Sequence, residues 1–270
     1  MRAGARAPIL ALVEERERAA KPRGVLRTPP GLVHRRLLVA TPLREHIAHV
    51  AWVAWDVAAP FVTQTLPHPT CHLVFEGRSA ELVGVHTGRF QRELVGRGRM
   101  IGIKFRPAAI APSWDGPLSA LRDRRVDARQ VFESGVETLR RRLSRSDTLE
   151  EALPDIEAFL ARRLAPLPPE VRQIRDVVEA MEGDRSMLRV EEVAKRYGLG
   201  VRTLERRFAA MVGVSPKWVL SRYRLHEAAE RLRDARAPSL TRLAAQLGYA
   251  DQAHFSRDFK RVIGCAPSAM

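Results

Sequence analysis

Cysteine is nearly absent: Cys71 and Cys265 are the only two in 270 residues. They lie far apart, so no disulfide framework and no cysteine-based zinc site can be built from them, and a reducing cytoplasm is the expected setting. Lysine is also scarce, with only Lys21, Lys104, Lys195, Lys217 and Lys260. No apolar run approaches the length of a membrane span, and Pro8–Ala20 carries too many charges for a signal segment. A glycine-rich phosphate loop and a Ser-His-Asp spacing signal are both missing. What the chain has instead is arginine. Its net charge is +15 and its pI about 11.1, which favours polyanionic partners. The excess is shared, at +9 for residues 1–165 and +6 for 166–270, so charge alone does not locate a binding face.

A duplication does. Val190, Val193, Ala194 and Tyr197 repeat as Leu240, Leu243, Ala244 and Leu247. Gly198 repeats as Gly248, Phe208 as Phe259, Gly213 as Gly264 and Pro216 as Pro267. The offset is 50 up to the turn and 51 beyond it. An internal repeat of this kind outranks any single motif. In each copy the i, i+3, i+4, i+7 spacing predicts one apolar helical face, closed by a glycine suited to the left-handed conformation. A second helix follows, over 201–212 or 252–263. This is a helix-turn-helix, whose second helix can enter a major groove. With Leu204 and Phe208 inward, Arg202, Glu205, Arg206 and Ala209 face out. With Phe255 and Phe259 inward, Ala253, Ser256, Arg257 and Lys260 face out. Arg206 and Arg257 stand at matching positions, and arginine pairs guanine bidentately. One basic helix face is commonly just solvated; two in register are better explained by DNA.

Ser215-Pro216 opens a linking helix, since serine caps and proline suits the first turn. It should run to about Asp234. About 19 residues at ~1.5 Å each give about 28 Å, near the ~34 Å that separates successive grooves on one face of DNA.

From about Glu170 to Met270 the chain resembles the DNA-binding domain of the AraC/XylS transcriptional regulators. The residues that carry the likeness are Arg202-Thr203-Leu204-Glu205-Arg206-Arg207-Phe208, Gly213-Val214-Ser215-Pro216-Lys217 and Arg222-Tyr223-Arg224-Leu225. In the second copy they are Gly248-Tyr249-Ala250-Asp251-Gln252-Ala253-His254-Phe255, Phe259-Lys260, Gly264 and Pro267-Ser268. Two departures stand out. Met270 occupies the place of a usual terminal aromatic, and Gly200 that of a usual serine-type cap. The resemblance implies base contacts from Arg202, Thr203, Glu205, Arg206, Gln252, His254, Ser256 and Arg257. It implies phosphate contacts from Arg207, Lys217, Lys260 and Arg261. Double-stranded DNA is then the partner, with RNA polymerase, a small-molecule effector and a second copy of the chain as further candidates.

The amino-terminal half reads differently. Residues 1–30 read as a loose arm, with Ile9–Ala20 a short amphipathic helix. Residues 31–165 begin with β-rich runs at 50–55, 61–66, 72–76, 82–85 and 100–105, which suggest a small sheet or barrel. They end in helical spacing through Val136, Leu139, Leu143, Leu149, Leu153, Ile156 and Leu160. Residues 166–169 are a stiff proline-rich linker to 170–270. The fold class is therefore α+β, a β-rich domain with trailing helices followed by an all-α domain of two helix-turn-helix motifs. His72-Leu73-Val74-Phe75, Gly84-Val85-His86-Thr87-Gly88 and Gly102-Ile103-Lys104-Phe105-Arg106-Pro107 resemble the cupin-like domain fused to many AraC-type modules, whose ligand is unassigned.

A pocket in that domain is expected from Trp52 or Trp55, Phe75 and Phe105 as apolar wall, with His68, His72 and Arg106 as orienting groups. Three residues apart on a strand, Trp52 and Trp55 face opposite sides, so at most one can line it. His46, His49, His68, Cys71, His72, His86 and Glu76 invite a metal or cysteine chemistry, and an alkyl-transfer or metal-dependent enzyme carried to DNA is the competing reading. Histidines that satisfy turns beside Pro67 and Pro69 account for the same cluster, and neither a metal nor another cofactor is required.

Overall fold

The computed structural model describes residues 25–184, 186–234 and 238–270. The helix expected over Ile9–Ala20 lies outside them. Among the described residues seven strands form one antiparallel sheet. They are β1 (Val25–Arg27), β2 (Val33–Leu37), β3 (Ile47–Thr65), β4 (His72–Glu76), β5 (Ser79–Val83), β6 (Phe90–Phe105) and β7 (Arg125–Asp127). Their order is β1-β3-β6-β4-β5-β7, with β2 also pairing β3. Within the loose arm expected over 1–30, Val25–Arg27 is instead a strand that pairs with Gln64 and Thr65. The runs expected at 50–55 and 61–66 are one strand, β3. Its register against β6 shifts between Val57 and Phe61, where Pro60 cannot donate to the ladder and a bulge absorbs it. β6 begins ten residues before the expected Met100.

The two faces of the sheet have different fates. Leu37, Val50, Trp52, Leu73, Phe75, Ile101, Ile103 and Phe105 are buried together. Covering them are α2 (Gly135–Leu143) and α3 (Leu149–Ala161), which follow the single-turn α1 (Arg129–Phe132). Thr148 caps α3 by accepting the Glu151 amide. The opposite face curls around a cavity of about 580 Å³.

The carboxy-terminal half is helical throughout: α4 (Pro169–Gly183), α5 (Val190–Arg196), α6 (Val201–Met211), α7 (Pro216–Leu232), α8 (Leu240–Gln246) and α9 (Gln252–Ile263). Gly198 and Gly248 close α5 and α8 at φ of +63° and +72°, the left-handed turn the repeat called for. Ser215 caps α7 from the side chain, with Pro216 in its first turn. At 17 residues α7 is about 26 Å long. It is buried on most sides, by both motifs and by the sheet domain.

Two cores divide the helical half. Val193, Ala194, Leu204, Phe208 and Val212 of the first motif are continuous with the core of the sheet domain. The bridge is the 3-10 turn Leu118–Leu121 against α6. There the backbone of Gly213 approaches so closely that a Cβ would lie 2.9 Å from the Leu118 carbonyl oxygen. The second motif has its own core of Leu225, Leu243, Leu247, Phe255, Phe259 and Ile263, to which Leu66 of the sheet domain is added. Met270, where an aromatic is usual, packs against that core from the last 3-10 turn, Pro267–Ala269.

Asp258 ties the second motif together. Its carboxylate accepts from Tyr249 Oη at 2.8 Å and Ser221 Oγ at 3.3 Å, and pairs with Arg261. Burial works against the charged form, but the hydrogen bonds from Arg261, Tyr249 and Ser221 outweigh it and hold the carboxyl below its usual range. Because the folded value is the lower one, this stabilisation is complete above the unfolded carboxylate pKa and is lost as pH falls through the folded value. Asp258→Ala should cost about 1–3 kcal/mol by stranding the Tyr249 hydroxyl. It should also flatten the acid limb of thermal stability measured between neutral pH and pH ~3. An acid limb unchanged in the variant would remove Asp258 from this role.

Candidate nucleic-acid interface and ligand cavity

The sequence folds α6 and α9 with one face fixed by the core. Leu204 and Phe208, and Phe255 and Phe259, are fully buried. That rotation leaves Arg202, Glu205, Arg206 and Ala209 exposed on α6, and Gln252, Ala253, His254, Arg257 and Lys260 exposed on α9. Thr203 and Ser256 are half-buried beside them. Gly200 caps α6 without a side chain, whereas Asp251 caps α9 by accepting the His254 amide at 2.6 Å. Among the described residues, Arg202, Glu205, Arg206, Arg257, Lys217 and Lys260 make no hydrogen bond or ion pair within the chain. Their charges are available to an external partner.

The remaining expected contacts are partly engaged. Gln252 Oε1 accepts from Thr241 Oγ1 at 2.7 Å, and the His254 ring lies edge-on to Tyr249 at 5.2 Å. Arg207 is turned inward and donates to Gln173 Oε1 of α4 at 2.6 Å. Arg261 is held by Asp258. Of the four residues assigned to phosphate, then, Lys217 and Lys260 stand exposed and unengaged. Arg242, at the start of α8, is a further exposed cation that the motif reading did not single out.

In the cavity, Trp55, His68 and His72 line the wall as expected, and Trp52, Phe75, Phe105 and Arg106 do not. The strand period is the reason. His72 and Val74 face the cavity, so Leu73 and Phe75 must face the core. Lys104 faces it, so Phe105 cannot. Trp52 sits on the core side between Ala51 and Val53. Arg106 lies past the end of β6, where its Nε donates to the Arg44 carbonyl at 2.5 Å and its guanidinium pairs with Glu179 of α4 at 2.6 Å.

The sequence reading missed the basic groups that join His72 on the cavity face, namely His34, Arg36, His49 and Lys104. His49, Lys104 and His72 are direct cross-strand neighbours on β3, β6 and β4, while His34 and Arg36 come from β2. Burial, then Arg36 and Lys104 nearby, pushes His49 down to about 2. Burial, then Lys104 and Arg36, pushes His72 down to about 3. His34 falls to about 4 from burial and Arg36, and its neutral Nε2 accepts from Arg36 Nε at 3.2 Å. Lys104 falls to about 8: burial lowers it, Glu182 opposes, Arg36 adds. Burial lowers Arg36 as well. The available signal was alternation at His72 and Lys104, each flanked by residues that bury, whereas His34 and Arg36 adjoin exposed Val33 and Arg35.

Among the described residues no three His, Cys, Asp or Glu side chains converge to hold a metal ion. Glu76 is engaged by Arg92. Cys71 is 4% exposed, and burial pushes its thiol up to about 12. It therefore supplies no thiolate for alkyl transfer at neutral pH. Under native conditions iodoacetamide should add once, at the half-buried Cys265, with Cys71 reacting only after denaturation. Intact-mass measurement checks this, and a native adduct on Cys71 would reverse the assignment.

Comparison with known proteins follows the same division of the chain. Residues 193–270 match the family model of a helix-turn-helix domain, and residues 35–127 that of a domain of unknown function, DUF6597. The transcriptional activator RhaS of Escherichia fergusonii is 39% identical over 77 residues, 28% of this chain and 27% of that protein. RhaS of Pectobacterium carotovorum is 29% identical over 158 residues, 52% of this chain and 56% of that protein. The chain thus spans between about a quarter and just over half of the curated relatives it matches. Among solved structures, the C-terminal domain of AraT from Geobacillus stearothermophilus is 27% identical, covering 39% of this chain and 85% of that one at a TM-score of 0.34. ToxT of Vibrio cholerae is 10% identical, covering 82% of this chain and 96% of that one at a TM-score of 0.42. The duplicated motif, its two left-handed glycines and the match over 193–270 show a carboxy-terminal helix-turn-helix domain of the AraC type.

Proposed function

We propose that the chain is a sequence-specific, DNA-binding transcriptional regulator of the cytoplasm, controlled by a small molecule held in the sheet domain. The observation that carries this reading is the pair Arg206 and Arg257. They stand at matching places on two duplicated helices, exposed and without a partner among the described residues. Arg202, Thr203, Glu205, Arg206, Gln252, His254, Ser256 and Arg257 would read bases in two successive major grooves. Lys217 and Lys260 would hold phosphates, and Arg207 and Arg261 would have to leave Gln173 and Asp258 to join them. RNA polymerase and a second copy of the chain are the protein partners in this reading.

Arg206→Ala should lower affinity for the selected operator by about 10-fold or more and change affinity for random DNA little. Lys217→Ala should weaken both alike and reduce the salt slope by about one. Footprinting and salt titration of the full chain separate the two, and equal losses for Arg206→Ala would make it a phosphate contact instead.

The cavity is the effector site in this proposal. At about 580 Å³ it falls within the usual range for small-molecule pockets, and most of its wall is apolar. Gly102, in mid-β6 between Ala51 and Val74, faces it, and a Cβ there would meet nothing within 4 Å. Gly102→Val should therefore keep the fold while filling the chamber. Any metabolite that raises the melting temperature of the wild type should lose that effect in the variant. A retained shift would place the effector elsewhere.

A further inference from the structure

One end of the cavity is built against electrostatic expectation. Cations gathered at one buried site repel, and burying a charge without a partner is costly. Yet the cross-strand row His49–Lys104–His72 sets an ammonium between two imidazoles, with Arg36 adding its guanidinium from β2. Among the described residues no carboxylate lies in ion-pair range of Arg36 or Lys104. Of the other cations on the wall, Arg92 pairs with Glu76 and Arg125 with Glu81 at 3.1 Å, while Arg27 lies over the Phe61 ring at 4.9 Å. Packing alone gives no reason for two unmatched cations beside three imidazoles.

The wall holds one described acid, Glu182. It belongs not to the sheet domain but to the last turn of α4, in the helical half. It stands 3.9 Å from the His68 imidazole, and its charge supports the proton on Lys104. The Thr70 hydroxyl also lines the cavity, is 6% exposed, and has no hydrogen-bond partner. Most of the remaining wall surface is apolar, with Leu38, Val53, Trp55, Val74, Leu94 and Met100 among its residues.

We propose that the cavity takes an organic acid with an apolar body, that Lys104 and Arg36 hold its anionic group, and that this group takes the place of Glu182. The inference rests on the reading of the cavity as the effector site and adds the ligand's class and the route of its signal. Glu182 is a tethered carboxylate that partly neutralises the basic end while the cavity is empty of acid. A free acid supplies the same charge without the tether and frees the end of α4. His68 carries the change onward, because its ring lies 4.3 Å from that of His226 on α7, the helix both motifs share.

The test titrates the full chain by calorimetry with octanoate, its neutral counterpart octanamide, and octylammonium, then with 4-phenylbutanoate and its amide. Each acid should bind about 10-fold or more tighter than its amide, and octylammonium should bind weakest. Lys104→Met and Arg36→Met should each remove most of that preference and leave amide binding unchanged. Lys104→Arg, which keeps the charge, should retain it and guards against a misfolded Lys104→Met. Glu182→Gln should bind the acids more tightly and should shift operator affinity in the direction in which octanoate shifts the wild type, within the ~5–150-fold of allosteric coupling. Acid and amide binding equally well would overturn the inference and leave the effector site standing. No binding by any probe at millimolar concentration would overturn both. An acid preference that survives both methionine substitutions would remove Lys104 and Arg36, and unchanged acid binding in Glu182→Gln would remove the displacement.

Discussion

The two-residue period of β3 and β6 is the constraint on which the rest of the structure depends. Both strands run the length of the sheet, and each supplies one face to the core and the other to the cavity. Once Trp52, Ile101, Ile103 and Phe105 are committed to the helices on one side, Ala51, Val53, Gly102 and Lys104 are committed to the other. A slip of one residue would put Lys104 into the core and Ile103 on the cavity. The core, having no alternative residues to bury, fixes the position of every charged group in the chamber. The register shifts at Ile47/His49 and Val57/Phe61 are where the strand is adjusted to keep both assignments.

The helical half was legible in the sequence because its information is local and stated twice. A 3.6-residue apolar period, a capping serine and a closing glycine each specify structure within one turn, and the period and the glycine recur in the copy at an offset of 50. The boundaries Val201–Met211 and Gln252–Ile263 fall within a residue of those expected. What stayed hidden there depends on contacts distant in sequence. Arg207 reads as an outward phosphate contact until Gln173, 34 residues away, is seen to hold it.

The sheet half was legible only where a strand is apolar enough to announce itself. Val33–Leu37 contains His34, Arg35 and Arg36, and Phe90–Arg99 alternates charge with small residues, so neither looks like a strand in isolation. The pocket was drawn from aromatic residues, as though a binding wall must be aromatic, and this misplaced Phe75 and Phe105. The same alternation that separates Trp52 from Trp55 would have excluded them, because His72 and Phe75 cannot share a face. Charge on an inward-facing strand position was the better guide to the cavity than aromatic content.

The two halves are joined unequally, and that bears on how a signal could travel. The first motif shares an uninterrupted core with the sheet domain, and Gly213 lies against Leu118 with no space to spare. The second motif keeps its own core and meets the sheet domain through Leu66 and a hydrogen bond from Gln64 to the Ile263 carbonyl at 2.5 Å. Between them lies α7, docked by Arg222. That side chain is 3% exposed, stacks on Trp218 at 4.5 Å and donates to the Thr87 carbonyl. Burial pushes its guanidinium down to about 10, so this contact holds a charge at a cost in desolvation. The apolar core ties the first motif to the sheet domain, while the contacts of α4 and α7 at Glu182, His226 and Arg222 join the halves through polar groups.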